Sequence, residues 1–451
     1  MRDLTKSMMT FPWAISMFGV QQMANMMSPP PEGRVAGTSA ALDRVTEATE
    51  EQLDGWMKQT YKLGNTVQRS LVDMMMLKMP SIDQGALMRA VAEFEGNPLF
   101  QAGMKYGAPP LGWLDSFLVA PKDRPAVYQE FEDKLSIIQL VTQVRSRYGL
   151  DSSNAKPLTS LVDRAAGEDS FPRLWVIEGL GNYYGDHAVE CSATPRGLLT
   201  EVSMDPLPSW SFPMLHAGIG MSFAKSVLKE LEPTSPAEVV RAAITSFGSL
   251  CRNSSRPGYA GAALESLGLA TRTLYPSLVA LLDTHIPSVD EELHGYFWHG
   301  AGRAMYFEPM NIAPQVNAPW RVVAALNEVA TYPFAFNNAL AGVCWAITVV
   351  NMQKPIVMEA FLRHHGPLAD RNDAFSNGVV SSMMMRFDTT PGDRSIEPFI
   401  HYDGQVADAA VGPLWRNLVT APCERALQQT YPKLRDAHDL QQLFHYVPGS
   451  R

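Results

Sequence analysis

Charge is scarce in this chain. Of its 451 residues only 18% are Asp, Glu, Lys or Arg, below the usual quarter. Alongside 46% hydrophobic residues, that scarcity excludes global disorder and implies a large buried core. No long Lys/Arg run occurs, and 37 basic against 46 acidic side chains give a net charge of −9, which argues against nucleic acid as a partner. Cysteine is equally sparse. Cys191, Cys251, Cys344 and Cys423 are scattered and form no C-x-x-C pair, so there is no zinc framework and the pattern fits a reduced compartment. The longest apolar stretch, Ala339 to Val350, is about half of the ~20 residues that span a bilayer. It reads as a buried helix, and a cytoplasmic protein without a transmembrane segment is expected. Catalytic signatures are missing too: there is neither a G-x-S-x-G elbow nor a phosphate-binding G-x-x-x-x-G-K-[ST] loop. No metal or cofactor is expected.

The N-terminal third is organised by apolar spacing. Trp13, Met17, Val20, Ala24 and Met27 form one stripe of an amphipathic helix over residues 1–27, with Gln21, Gln22 and Asn25 on another side. A cleaved signal peptide is the alternative; Asp3 and the Pro12-Trp13 pair weigh against it. Trp13, Met17, Val20 and Met27, with a high local density of methionine, mark a sticky face suited to a protein, granule or membrane surface. Residues 28–40 (SPPPEGRVAGTSA) are a Pro/Gly/Ser linker. From Ala41 to Met79 apolar residues recur at helical spacing, giving a long helix or hairpin that offers a route to homo-oligomers. A helical domain over 41–150 and a polar linker over 151–170 precede the last region, 171–451.

That region repeats itself. A Gly-x-small motif opens an apolar helical run at Gly179-Leu-Gly181, Gly218-Ile-Gly220 and Gly300-Ala-Gly302, and in degraded form at Gly342 and Gly378. With Gly261 filling the gap, successive first glycines lie 39, 43, 39, 42 and 36 residues apart. A period near 40 with proline-rich breaks predicts an all-α, α-solenoid-like array of helical hairpins. In it Gly179, Gly181, Gly218, Gly220, Gly261, Gly300, Gly302, Gly342 and Gly378 permit close helix packing. The segment from Trp175 to Gly185 imitates a dinucleotide-binding turn, but Ser192 to Gly197 interrupts too early for a second strand.

Four polar residues beside these motifs are candidates for chemistry: Glu178, His216, His299 and Arg303. They are read either as contacts of a concave ligand pocket or as ordinary residues paired with other layers. Spacing of ~8–10 Å between packed helices puts equivalent positions too far apart to share a metal. His294 and His299, five apart, lie on different helix faces, and His364-His365 reads as a polar loop beside Gly366-Pro367.

The ordered blocks EGLG from Glu178, LHAGIGMSFA from Leu215, RPGYAGAAL from Arg256 and HGAGRAMYF from His299 resemble a bacterial family of unknown function found in enediyne and related secondary-metabolite biosynthesis clusters. The likeness covers roughly residues 171–390 and implies a fold and no catalytic residues. The helices before it look like the surface-coating helices of phasins. Together these features imply a non-catalytic binding or scaffold protein. The alternative is an enzyme or carrier for an apolar small molecule held by Glu178, His216, His299 and Arg303.

Overall fold

A computed structural model describes residues 123–150, 156–192, 195–307, 322–402 and 410–449. The terminal helix with Trp13, Met17, Val20 and Met27, the linker at 28–40 and the 41–79 helix lie outside the described residues. The chain divides into two units, residues 1–131 with 309–317 and residues 132–308 with 318–451, and nearly all described residues belong to the second. The described residues are all-α, with no strand among them.

The helices are α1 (Arg124–Thr142), α2 (Val144–Tyr148), α3 (Leu158–Ala165), α4 (Ser170–Cys191), α5 (Phe212–Leu228), α6 (Ala237–Ser254) and α7 (Ala260–Leu264). They continue with α8 (Ser266–Leu274), α9 (Val279–Val289), α10 (Glu291–Phe307), α11 (Val322–Val329), α12 (Pro333–Asn351), α13 (Ile356–Arg371) and α14 (Asp373–Thr389). After α15 (Glu397–Ile400), a helical run over 411–436 alternates α-turns with two π-helical turns, Arg416–Thr420 and Ala426–Thr430.

The motif-bearing helices pack directly on one another in the order α4, α5, α7 with α8, α10, α12, α14, and α6, α9, α11 and α13 lie against them. Neighbours in this series run parallel where the pairing is resolved. Glu178, Asn182 and Asp186 on α4 meet Gly218, Ser222 and Lys225 on α5 in step. At all nine glycines of the motif, an added Cβ would come within 2.5 Å of a backbone carbonyl oxygen on a neighbouring segment. Gly268, which the period does not include, is as tightly confined against the Phe297 carbonyl. These helices touch backbone to backbone.

The apolar run of α12 is long and apolar enough to cross a membrane by composition, but 78% of it is buried among its neighbours. Val343, Cys344, Trp345, Ala346, Ile347 and Val349 are wholly inaccessible. The methionine run Met383–Met385 on α14 is likewise core.

As the proline breaks at Pro195, Pro206 and Pro208 lead one to expect, the described residues between α4 and α5 carry the short turns Val202–Met204 and Ser209–Ser211 and no α-helix. One local expectation is corrected. His364-His365 is no loop: it lies within α13, where His365 leaves helical geometry (φ −125°, ψ 16°) two residues before Pro367.

Two features tie the series together. The Arg386 guanidinium at the end of α14 donates to the Ser170 carbonyl (3.1 Å), to Ser170 Oγ (3.2 Å) and to Asp393 (2.8 Å), joining the last helix of the series to the first. Residues 440–449 run as a belt across α7, α10, α12 and α14. Phe444 faces Trp345, His445 meets Tyr296 edge-on, Tyr446 N–H donates to Asn338 (3.0 Å), and Gly449 N–H donates to Asp373 (2.8 Å).

A methyl group at Gly342 has to displace the His299 backbone, whereas one at Gly412 meets only the Arg416 guanidinium at 3.7 Å. Gly342→Ala is expected to cost about 3 kcal/mol, and Gly412→Ala to be neutral or stabilising by up to about 1 kcal/mol. Urea unfolding of the two variants measures the contrast.

Candidate functional site

The close approach of the helices brings ionisable side chains together in the core. Gly300 sits against the Glu265 carbonyl and Gly342 against the His299 carbonyl, so α10 is pressed between the α7–α8 junction and α12. Glu265 occupies that junction, between Leu264 and Ser266. On α10, His299 and Arg303 are four residues apart and share one face. Both reach Glu265: His299 Nδ1 donates to Oε1 at 2.6 Å and Arg303 Nη1 donates to Oε2 at 2.6 Å. Arg303 Nη2 lies 3.5 Å from Glu178 Oε1 on α4, and the guanidinium stacks over Trp345 at 4.6 Å.

Burial is nearly complete. Glu265 and His299 are fully inaccessible, Arg303 is 2% exposed and Glu178 8%. The two carboxyls are pushed in opposite directions. Desolvation, reinforced by the negative charge of Glu265, raises Glu178 above the ordinary carboxylate range despite Arg303. At Glu265 burial also opposes the charge, but Arg303 and His299 together outweigh it and hold the carboxyl below that range. Burial thus disfavours the charged form of Glu178, while Arg303 and His299 favour that of Glu265. His299 Nε2, wholly buried, has no hydrogen-bond partner, and neither does Trp345 Nε1.

Of the four residues singled out from the sequence, the structure joins Glu178, His299 and Arg303. It holds His216 in other bonds. His216 Nδ1–H donates to the Phe212 carbonyl (2.6 Å), Nε2 accepts the Arg256 backbone N–H (3.0 Å), and the ring stacks on Tyr259. Desolvation lowers its pKa to about 4, so it is a neutral clasp between α5 and the turn after α6. Glu178 and Arg303 each pair with other layers, here including each other, because the long arginine side chain spans helices that are not sequential in the series.

Glu265, the centre of the network, escaped the sequence reading. Its signal is isolation: it is the sole charge between Arg256 and Arg272. Among the described residues no group of three or more His, Cys, Asp or Glu side chains is placed to hold a metal ion. A shallow groove of about 400 Å³ lies elsewhere, between α13 and the start of the 411–436 run, lined by Leu362, Pro367, Val411 and Leu414.

The chain matches no family model, no curated protein and no solved structure. The reading of the site therefore rests on its own geometry: two helices and a helix junction locked by one arginine and two glutamates, with an imidazole oriented by Glu265.

The opposed shifts give a direct test. Glu265→Gln removes the charge that satisfies Arg303 and is expected to cost about 3–5 kcal/mol. Glu178→Gln replaces a carboxyl already disfavoured in its charged form and is expected to stay within about 1 kcal/mol of the parent. Denaturant midpoints at neutral pH decide between them.

A pH profile tests His216. Its folded pKa of about 4 lies below the ordinary 6.5, so the unfolded chain binds the proton more readily. Its contribution is complete above pH 6.5 and is lost as pH falls toward 4, amounting to about 3 kcal/mol. His216→Leu is expected to lower stability at pH 7, by leaving the Arg256 N–H unpaired, and to flatten that part of the profile.

Proposed function

We propose that the protein is a non-catalytic helical-repeat scaffold, cytoplasmic or peripherally attached, that holds a protein partner. In this reading residues 1–27 dock on a protein, a granule or a membrane periphery, and the 41–79 helix offers a route to homo-oligomers. Nucleic acid is not among its partners. The observation that carries the reading is the inward convergence of the polar network. Glu178, Glu265, His299 and Arg303 bond to one another inside a core whose helices touch at their backbones, and His216 is spent on a helix clasp. Polar groups arranged for a substrate would converge on a cleft. These converge on each other, which suits a rigid holder. The resemblance of residues 171–390 to a secondary-metabolite cluster family supports such a setting for the scaffold.

A second reading has one specific observation in its favour. His299 is oriented by Glu265 as a general base would be, and its Nε2 carries no bond. That arrangement suits an enzyme or carrier for an apolar small molecule.

Native mass spectrometry of the full-length protein purified from its own source separates the two. The scaffold reading expects a second polypeptide in fixed ratio, or vesicle association, lost on deleting residues 1–27 with the melting temperature unchanged. A small molecule released on unfolding, with association intact after the deletion, overturns it in favour of the carrier.

A further inference from the structure

α10 carries a second carboxylate-held imidazole on another of its faces. His294 Nε2–H donates to Asp283 Oδ1 of α9 at 2.7 Å. The same oxygen accepts the Trp298 indole N–H at 2.7 Å and the Tyr332 hydroxyl at 2.5 Å. Three donors converging on one carboxylate oxygen fix the imidazole with its Nε2 as the donor and leave Nδ1 as a lone-pair acceptor. Nδ1 makes no hydrogen bond. Unlike His299, this ring reaches the surface: the His294 side chain is 11% exposed and that of Asp283 22%. Beside it stands Phe334, one of the few large apolar side chains open to solvent at 45%, its ring stacked on the His294 imidazole with centroids 4.8 Å apart.

We propose that His294, Phe334 and Tyr332 form a binding site for a neutral, planar aromatic molecule that bears a hydroxyl or N–H donor, such as a phenol. The donor is received by His294 Nδ1 and the ring lies against the Phe334 edge of the stack. The charge at the site selects the ligand. Burial works against an ionised Asp283, but the hydrogen bonds from His294, Tyr332 and Trp298 outweigh it and hold the carboxyl below its ordinary range. With Glu291 and Glu292 in the first turn of the same helix, the surroundings repel carboxylates and phosphates. The site asks for binding alone: no hydroxyl or thiol nucleophile is hydrogen-bonded to Nδ1. It goes beyond the scaffold reading and is independent of the buried network.

The test is a ligand-observed NMR titration of the full-length protein with two probes, 4-methylphenol and its methyl ether 4-methylanisole, which keeps the ring and loses the donor. The phenol is expected to bind and the ether to bind about tenfold more weakly, the loss of one hydrogen bond. Phe334→Ala removes an exposed ring and leaves the core intact; it and His294→Gln are each expected to weaken phenol binding by about tenfold. Equal binding of the two probes, no binding by the parent, or phenol binding undiminished in Phe334→Ala overturns the proposal.

Discussion

Because no Cβ fits at Gly300 or Gly342, α10 lies at backbone distance from both the α7–α8 junction and α12. The contact is a constraint before it is an attraction. Glycine in a helix costs about 1 kcal/mol against alanine, and a chain that accepts this repeatedly in its most buried helices must recover it by dispersion and by what the proximity permits. What it permits here is short, geometrically fixed hydrogen bonding between side chains of different helices. His299 and Arg303 reach the two oxygens of one carboxylate, at 2.6 Å each, because the Glu265 main chain is already against Gly300. Insert one methyl and the backbones part, and with them goes the geometry that makes a buried ion pair tolerable.

Ions in such a core are stable only as a set. Burying a lone carboxylate costs several kcal/mol, and a pair recovers that only when further hydrogen bonds are met. Glu265 meets this condition with a guanidinium on one oxygen and an imidazole on the other. Arg303 adds the Trp345 face and the more distant Glu178. The fourth member, Glu178, is pushed upward by burial and faces the same guanidinium. The network therefore welds α4, the α7–α8 junction and α10 together. Removal of any one partner strands the others, so its worth is read from the asymmetry between Glu178 and Glu265 rather than from a sum of pairs.

Much of the fold was legible because small residues at a period near 40 have few explanations other than backbone contact between helices. All nine glycines of that pattern sit at such contacts. What was not legible follows from the same physics. A periodic motif says where helices touch but not which side chains meet, so Glu178 and Arg303 were separable in sequence and joined in space. Glu265 carries no motif; only its isolation among apolar residues marks it. His216 looked like a site residue because it precedes Gly218, yet its two nitrogens are used by the Phe212 carbonyl one turn back on its own helix and by the Arg256 N–H of a turn forty residues away. The prolines read as helix stops and N1 positions, and Pro367 as part of a loop; Pro287 and Pro367 instead sit within α9 and α13, the latter with a kink at His365.

One helix then presents two imidazoles in opposite circumstances. Residues five apart on an α-helix are separated by about 140° around the axis, so His294 and His299 cannot share an environment even though each donates to a carboxylate. His299 faces the backbone contacts, where close packing removes solvent and its unpaired Nε2 has only protein around it. His294 faces α9, at the margin of the core, where Asp283 is partly exposed and Phe334 stands open. The carboxylate does the same thing in both places, fixing the tautomer and enriching the free nitrogen. Burial is what differs: the inner pair lies wholly within the backbone contacts, and the outer pair lies at the margin of the core, where the proposed ligand would meet it.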